Sequence, residues 1–216
     1  MEADGLNSSS IPPRGKDAKG ERVQAILAAA LQEFIEQGFA PARLDAIAER
    51  AGIGKGTVYL YFDSKEALFE EAVRGVILPV IEGLEGMALA PQGSAEALLK
   101  AMITTFYREV VATERRHIIR LLIGEGPRFP RLLAFYHGEV VSRGMAALRH
   151  VLRYGVERGE FRAAAASAFP QVVMGPAMIG AIWTMLFDDI EPLDLEHFCA
   201  AHIDLLMQGL APRPSG

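Results

Sequence analysis

Apolar residues in this chain return every three or four positions, and nowhere do they alternate for long enough to make a convincing strand. That single periodicity confines the chain to an all-α fold. The cleanest case is the first helix. Val23, Ile26, Leu27, Ala30, Leu31, Phe34 and Ile35 form one apolar stripe, which stops at Gly38. Ser64, placed before KEALFEEAVRGVILPVIEGL, is a fitting N-cap for a long fourth helix, and Gly86 to Gly93 reads as the loop after it. Five further helical segments are expected at 94–112, 114–124, 130–158, 166–187 and 194–210, with breaks at Gly126, Pro127, Pro130, Gly159 and Pro192.

Between the first and fourth helices lies ARLDAIAERAGIGKGTVYLYFDSK, residues 42–65. Leu44, Ile47, Ala48 and Ala51 share one face of a short helix, and Ala48 is small enough for a partner helix to approach closely. Gly52 falls where that helix must end, a position that favours positive φ. In the next helix Val58 and Phe62 point to the core, which leaves Lys55, Thr57, Tyr59, Leu60 and Tyr61 directed outward. A phenolic hydroxyl can donate to a phosphate while its ring lies against sugar or a thymine methyl. This is the build of a helix-turn-helix whose second helix enters the DNA major groove. The GKGT within it is not a phosphate loop, which needs GxxxxGK[ST] after a strand.

The same residues resemble the DNA-binding domain of TetR/AcrR-type regulators: IAERAG, a turn, GTVYLYF and then SKEAL, within residues 19–79. The resemblance implies that Lys55, Gly56, Thr57, Tyr59, Leu60 and Tyr61 lie at or near DNA and that Lys65 holds a backbone phosphate. Such proteins carry Thr or Ser where this chain has Ala42 and Arg43. The missing hydroxyl cap costs roughly 1 kcal/mol of local helix stability, and Arg43 is the candidate to supply the phosphate contact instead. The expected architecture is all-α: an N-terminal three-helix helix-turn-helix domain over 19–79 and a C-terminal helical ligand-binding and dimerisation bundle over 80–210. An arm at 1–18 and a tail at 211–216 are expected to be disordered, because they are rich in Ser, Pro and Gly without an apolar run. The arm is no signal peptide. Arg14, Lys16, Lys19 and Arg22 are further candidates for phosphate contacts, although a solvated tail is the simpler reading.

Composition narrows this picture. At 216 residues, half of them hydrophobic, the chain can bury one good core or two small ones. Its net charge of −5 is not that of a protein with general affinity for polyanions. Within 42–65 four cations face three anions, so the DNA interface must be small and locally arranged. Cys199 is the only cysteine, which rules out an internal disulfide and suits a reducing cytoplasm. In line with Leu195, Phe198, Leu205 and Leu206, it reads as a small core residue.

From Ala163 to Phe187 the chain runs 25 residues without a charge. Its Ser, Pro, Gln and Gly content argues against a membrane span. A helix apolar all round is buried on both sides, and a second subunit is the obvious cover, with Gly175, Ala177, Gly180 and Ala181 suiting close helix approach. The resemblance likewise implies a homodimer built on the last two long helices.

It further implies a pocket for a small apolar or amphipathic effector among the middle helices. Met102, Phe106, His117, Phe135, Met178 and Trp183 are the candidate lining residues, and Arg115, Arg116 and Arg120 give the His117 helix a basic face. No catalytic residue, metal site or cofactor is expected. The five histidines lack HExxH spacing, and no GxSxG pattern occurs. The expected function is a ligand-responsive transcriptional regulator, a repressor released from a palindromic operator by its effector. The alternative is a small-molecule-binding helical protein whose DNA-binding domain is vestigial.

Overall fold

The structure, a computed structural model, describes residues 15–167 and 169–212. Arg14 and the side chain of Lys16, both named above as candidate phosphate contacts, lie outside the described residues. Among those described there are ten α-helices and no strand. Helix α1 spans Gly15–Gln37, so it begins inside the stretch expected to be a disordered arm. It buries Ile26, Ala30 and Phe34 and ends at Gly38, whose φ of 91° lies in the left-handed region. Two short helices follow, α2 (Leu44–Arg50) and α3 (Lys55–Tyr59). The long α4 (Lys65–Leu89) starts where Ser64 Oγ accepts from the Ala67 N–H at 3.1 Å. It runs past Gly86, so the loop expected from that residue begins only after Leu89.

The remaining helices are α5 (Ala95–Phe106), α6 (Arg116–Glu125), α7 (Pro130–Tyr136), α8 (Ser142–Glu157), α9 (Pro170–Phe187) and α10 (Leu195–Leu210). Two widened π-turns interrupt the periodicity, at Tyr107–Val111 after α5 and at His137–Val141 between α7 and α8. The apolar helix expected from residue 166 begins at Pro170, the residue best suited to a first helical turn. Residues Ala163–Ser167 form a separate 3₁₀ turn.

Two apolar cores organise these helices. One, made by α5, α8, α9 and α10 with the second half of α4, surrounds Leu99, Ile103, Val151 and Ala177. The other surrounds Phe34, Phe39 and Phe69 in the N-terminal helices. That second core does not close at residue 79. It takes in Ile118, Leu121 and Leu122 of α6 and Leu132 of α7. Burial of these side chains, at roughly 25 cal/mol per Å² of apolar surface, therefore joins α6 to the N-terminal helices, while its Ile119 packs in the bundle core. Cys199 is buried as expected, but Leu205 is exposed.

Proline shapes both long central helices. Pro79 in α4 and Pro176 in α9 each lack an N–H and leave the carbonyl four residues back without its helical donor. In each helix a side chain from elsewhere bonds the adjacent carbonyl: Arg115 Nε donates to Val76 O at 2.9 Å, and His202 Nε2 to Val173 O at 2.8 Å.

Candidate nucleic-acid interface

The reading head is assembled from α2, the turn Ala51–Gly54 and α3. Ile47, Ala48 and Val58 are buried against each other and against α1, which fixes the angle between the two short helices. The turn closes by two backbone bonds, Ile53 N–H to Ala48 O and Gly52 N–H to Glu49 O, each 3.0 Å. This pattern needs a left-handed residue after the helix, and Gly52 supplies it at φ 67°. Gly54 caps α3 with backbone alone. Beyond Tyr59 the helix tightens, as Leu60 and Tyr61 donate to Thr57 O and Val58 O.

What projects from this frame can be sorted by side chain. Tyr59 is 52% exposed and Leu60 82% exposed, with no interior role for either. Lys55 and Gly56 are exposed, and Thr57 is half-buried at the edge of an open concavity that Arg22 and Gly54 also border. Tyr61 is not an outward group like Tyr59. Its ring packs against the head core and lies under the Lys19 ammonium, 5.9 Å from the ring centre. A cation there is favourably placed on the ring face.

The cations divide in the same way. Lys55 pairs with Asp45 at 2.8 Å, and that hydrogen bond raises its pKa. Arg43 approaches the same carboxylate at 3.7 Å, with most of its side chain in water. Ion pairs this exposed contribute little to stability, so a phosphate can replace Asp45 at little cost. Arg50 instead faces α1, where Glu36 at 2.6 Å and Glu33 at 3.5 Å hold it. Glu33, itself buried, also accepts from the Arg43 N–H at 3.5 Å. The first position of α2 has no side-chain cap, as the absence of a hydroxyl at Ala42 and Arg43 foretold.

Lys65 is the clearest departure from expectation. Its ammonium donates to Ala40 O at 2.8 Å and Ala42 O at 3.2 Å and sits 4.9 Å from the centre of the Phe39 ring. Two of three donors are thereby committed to the α1–α2 turn. Lys65 is a tie within the head, with one N–H left over for a phosphate.

The six candidate pocket residues do not converge. Met102, Phe106 and Met178 belong to the bundle core, whereas Phe135 packs on the head core beneath the Arg74 guanidinium. Trp183 donates to Glu191 O at 3.0 Å and packs edge-on against Phe187 at the end of α9. His117 is half-buried near Glu114, and burial lowers its pKa. The cations expected around it are present, and Arg116 and Arg120 add to the lowering of its pKa. Arg115, Arg116 and Arg120 turn their guanidinium groups to the carbonyls of Val76, Thr113 and Ile35. Two open surface cavities, one beside Arg22 and Gly52 and one beside Phe161 and Arg162, border none of the six.

Periodicity gave no sign of the polar pair that does sit in the bundle core. Tyr107 and His202 are buried, and Tyr107 Oη lies 3.2 Å from His202 Nδ1. With His202 Nε2–H committed to Val173 O, Nδ1 is the acceptor and the tyrosine donates. Burial lowers the His202 pKa, and it raises that of Tyr107, so the pair is neutral near pH 7. Both residues are plain in the sequence, but 95 positions separate them and only folding brings them together.

A glycine-closed turn, a buried rear face and a short helix presenting Lys55, Thr57, Tyr59 and Leu60 together define a helix-turn-helix DNA-binding protein. Two family models match the chain. "Bacterial regulatory proteins, tetR family" covers residues 26–72, and "Tetracyclin repressor-like, C-terminal domain" covers residues 89–200. The HTH-type transcriptional repressor KstR2 of Rhodococcus jostii is 31% identical over 159 residues, 70% of this chain and 74% of that one. FadR from Bacillus halodurans, a fatty acid degradation regulator, superposes with a TM-score of 0.73 at 23% identity, covering 89% of this chain and 97% of that one. FadR from Bacillus subtilis, solved in complex with stearoyl-CoA, does so at 0.67 and 21% identity, over 87% and 98% of the two chains. The chain belongs to the TetR family of bacterial regulatory proteins, and it is a DNA-binding transcriptional regulator of the repressor type.

Proposed function

We propose that the protein acts as a cytoplasmic homodimer, which binds a palindromic operator and releases it when a small amphipathic effector enters the bundle. The observation that carries the dimer is the outer face of α9. Val172, Ile179 and Leu186 lie seven residues apart on one side of the helix, 73%, 55% and 61% exposed. Only 28% of the helix is buried within the protomer, although it is apolar enough by length and composition to cross a membrane. The small residues Ala177, Gly180 and Ala181 face inward instead, where Gly180 lies against Phe198 and Tyr107. The close approach that they permit is thus internal, and the large side chains are left for the partner. A stable interface of this kind buries on the order of 2,000 Å². It would also place two reading heads on successive half-sites.

Met102, Phe106 and Met178, in the same bundle core as Tyr107, together with the buried Tyr107–His202 pair support an effector with an apolar body and one polar group. The FadR relative solved with stearoyl-CoA supports the same class. Moving the dimer from mostly bound to mostly free requires about 5.5 kcal/mol of differential effector affinity. The test combines sedimentation with operator binding, using a duplex selected from a random pool by the protein and acyl-CoA thioesters of graded length. A dimer whose operator affinity falls at least tenfold with one of them is expected. A stable monomer overturns the dimer, and affinity unchanged by every thioester overturns the effector class.

A further inference from the structure

Helix α6 holds the reading head directly, by a route that does not pass along α4. Just before α6, Arg115 is bonded to Val76 O of α4. At its middle, Arg120 donates to Ile35 O in the last turn of α1 at 2.6 Å. At its last residue, the Glu125 carboxylate accepts from two consecutive backbone N–H groups of the α1–α2 turn, Phe39 at 2.8 Å and Ala40 at 2.7 Å. A carboxylate at the C-terminal end of a helix faces the negative pole of the helix dipole. Helix α6 on its own therefore gives no reason for an acid there; the two charge-assisted bonds to the turn do.

The turn has been shaped around this contact. Any side chain at Gly38 would run into Glu125 Oε1, and the φ of 91° there already selects glycine. Phe39 stacks or packs edge-on against Phe34, Phe69 and Phe129, with centroids 4.8–5.7 Å apart. On its other side the turn gives the carbonyls of Ala40 and Ala42 to Lys65. The N–H groups of one short turn thus belong to α6 and its carbonyls to α4. Helix α2 leaves from this turn, and α3 rests on α2, so the direction of α3 relative to the bundle is fixed here.

We propose that Glu125 is a positioning residue for DNA recognition: it sets the angle of the head on the bundle and thereby the half-site spacing that a dimer accepts. The proposal rests on the dimeric reading above. Each base pair added between half-sites moves one of them by about 3.4 Å and a tenth of a turn, a change that a rigidly held head rejects and a loosened head follows.

The test uses the full-length protein and the duplex that the wild type selects from a random pool, with the half-site spacing then changed one base pair at a time. Dissociation constants are measured for the wild type, Glu125→Gln and Glu125→Ala, with thermal unfolding in parallel. The wild type should prefer one spacing by about tenfold or more over its neighbours. Glu125→Ala should flatten that preference to about threefold or less and still bind an isolated half-site as the wild type does. Glu125→Gln, which keeps one acceptor, should fall between, and it carries the test if the alanine variant does not fold. Amide exchange at Phe39 and Ala40 should quicken in both variants. A dimer whose spacing preference survives both substitutions overturns the proposal alone. A wild type that sediments as a monomer and shows no preference overturns the dimeric reading, and the spacing role with it.

Discussion

Helices α3 and α9 both leave large apolar groups in water, yet they solve different problems. On α3, Leu60 and Tyr59 stand beside Lys55, Gly56 and Thr57, so the apolar contact comes with cations and hydroxyls at its edge. On α9, Val172, Ile179 and Leu186 form a heptad stripe on a helix without a charged residue. The mixed surface suits a polyanion with apolar base edges; the unmixed one suits a copy of itself. Charge is also managed differently. Around α3, Asp45 holds Lys55 and Arg43 loosely at the surface, while Arg50 and Lys65 are turned inward to hold the frame.

The largest expected effect comes from making the α9 stripe resemble α3. Ile179→Asp puts a charge at the centre of the interface, which costs several kcal/mol when it is buried unpaired. Sedimentation should then show monomers at micromolar concentration, and operator affinity should drop about a hundredfold or more as the second half-site is lost. A dimer that persists would mean that α9 faces something other than its copy.

Tyr59→Ala removes one of two groups that project from α3 without an interior partner. About tenfold weaker operator binding is expected, since one good base or backbone contact is worth about 1–3 kcal/mol. The thermal midpoint should stay within about 2 °C of the wild type, because exposed substitutions rarely cost more than about 0.5 kcal/mol. An unfolded or strongly destabilised variant would show that the side chain has an interior role after all.

Lys65→Met separates a cation of the frame from a cation of the interface. Removing the ammonium takes the lysine donor from the Ala40 and Ala42 carbonyls, which water can reach in part, at about 0.5–1.5 kcal/mol. Stability measured by denaturant should fall by that amount, and the loss of operator affinity at low temperature should be smaller than for Tyr59→Ala. The reverse order would return Lys65 to the DNA surface. Asp45→Asn is the mildest change. It frees Lys55 and Arg43, so binding should tighten by about two- to fivefold with a steeper salt dependence, while stability moves by less than about 0.5 kcal/mol. Weaker binding would make Asp45 a contact in its own right.

The reading head was largely legible because its signals are local. Three- and four-residue spacing placed Ile47, Ala48, Val58 and Phe62 inside, Gly52 fixed the turn, and Ser64 marked the start of α4. Tyr61 and Lys65 have additional partners within the protein that the sequence did not show, for a shared reason. Their local surroundings point outward, but Lys19 and the α1–α2 turn approach them from elsewhere in the chain. The pocket candidates fared worst. Met102, Phe106 and Met178 share a core that Phe135, His117 and Trp183 do not, and no periodicity distinguishes the two groups.

By itself the sequence determined the all-α class, the helix-turn-helix and the apolar character of α9, because each is written in residues within a turn or two of one another. Tertiary structure decided which face of α9 is covered, which cations remain free for DNA, and that Glu125 reaches back 86 positions to hold the head. Those outcomes depend on where remote backbone groups and side chains come to rest. A hydrogen bond reaches only about 3 Å, and that proximity is set by packing, which local spacing does not encode.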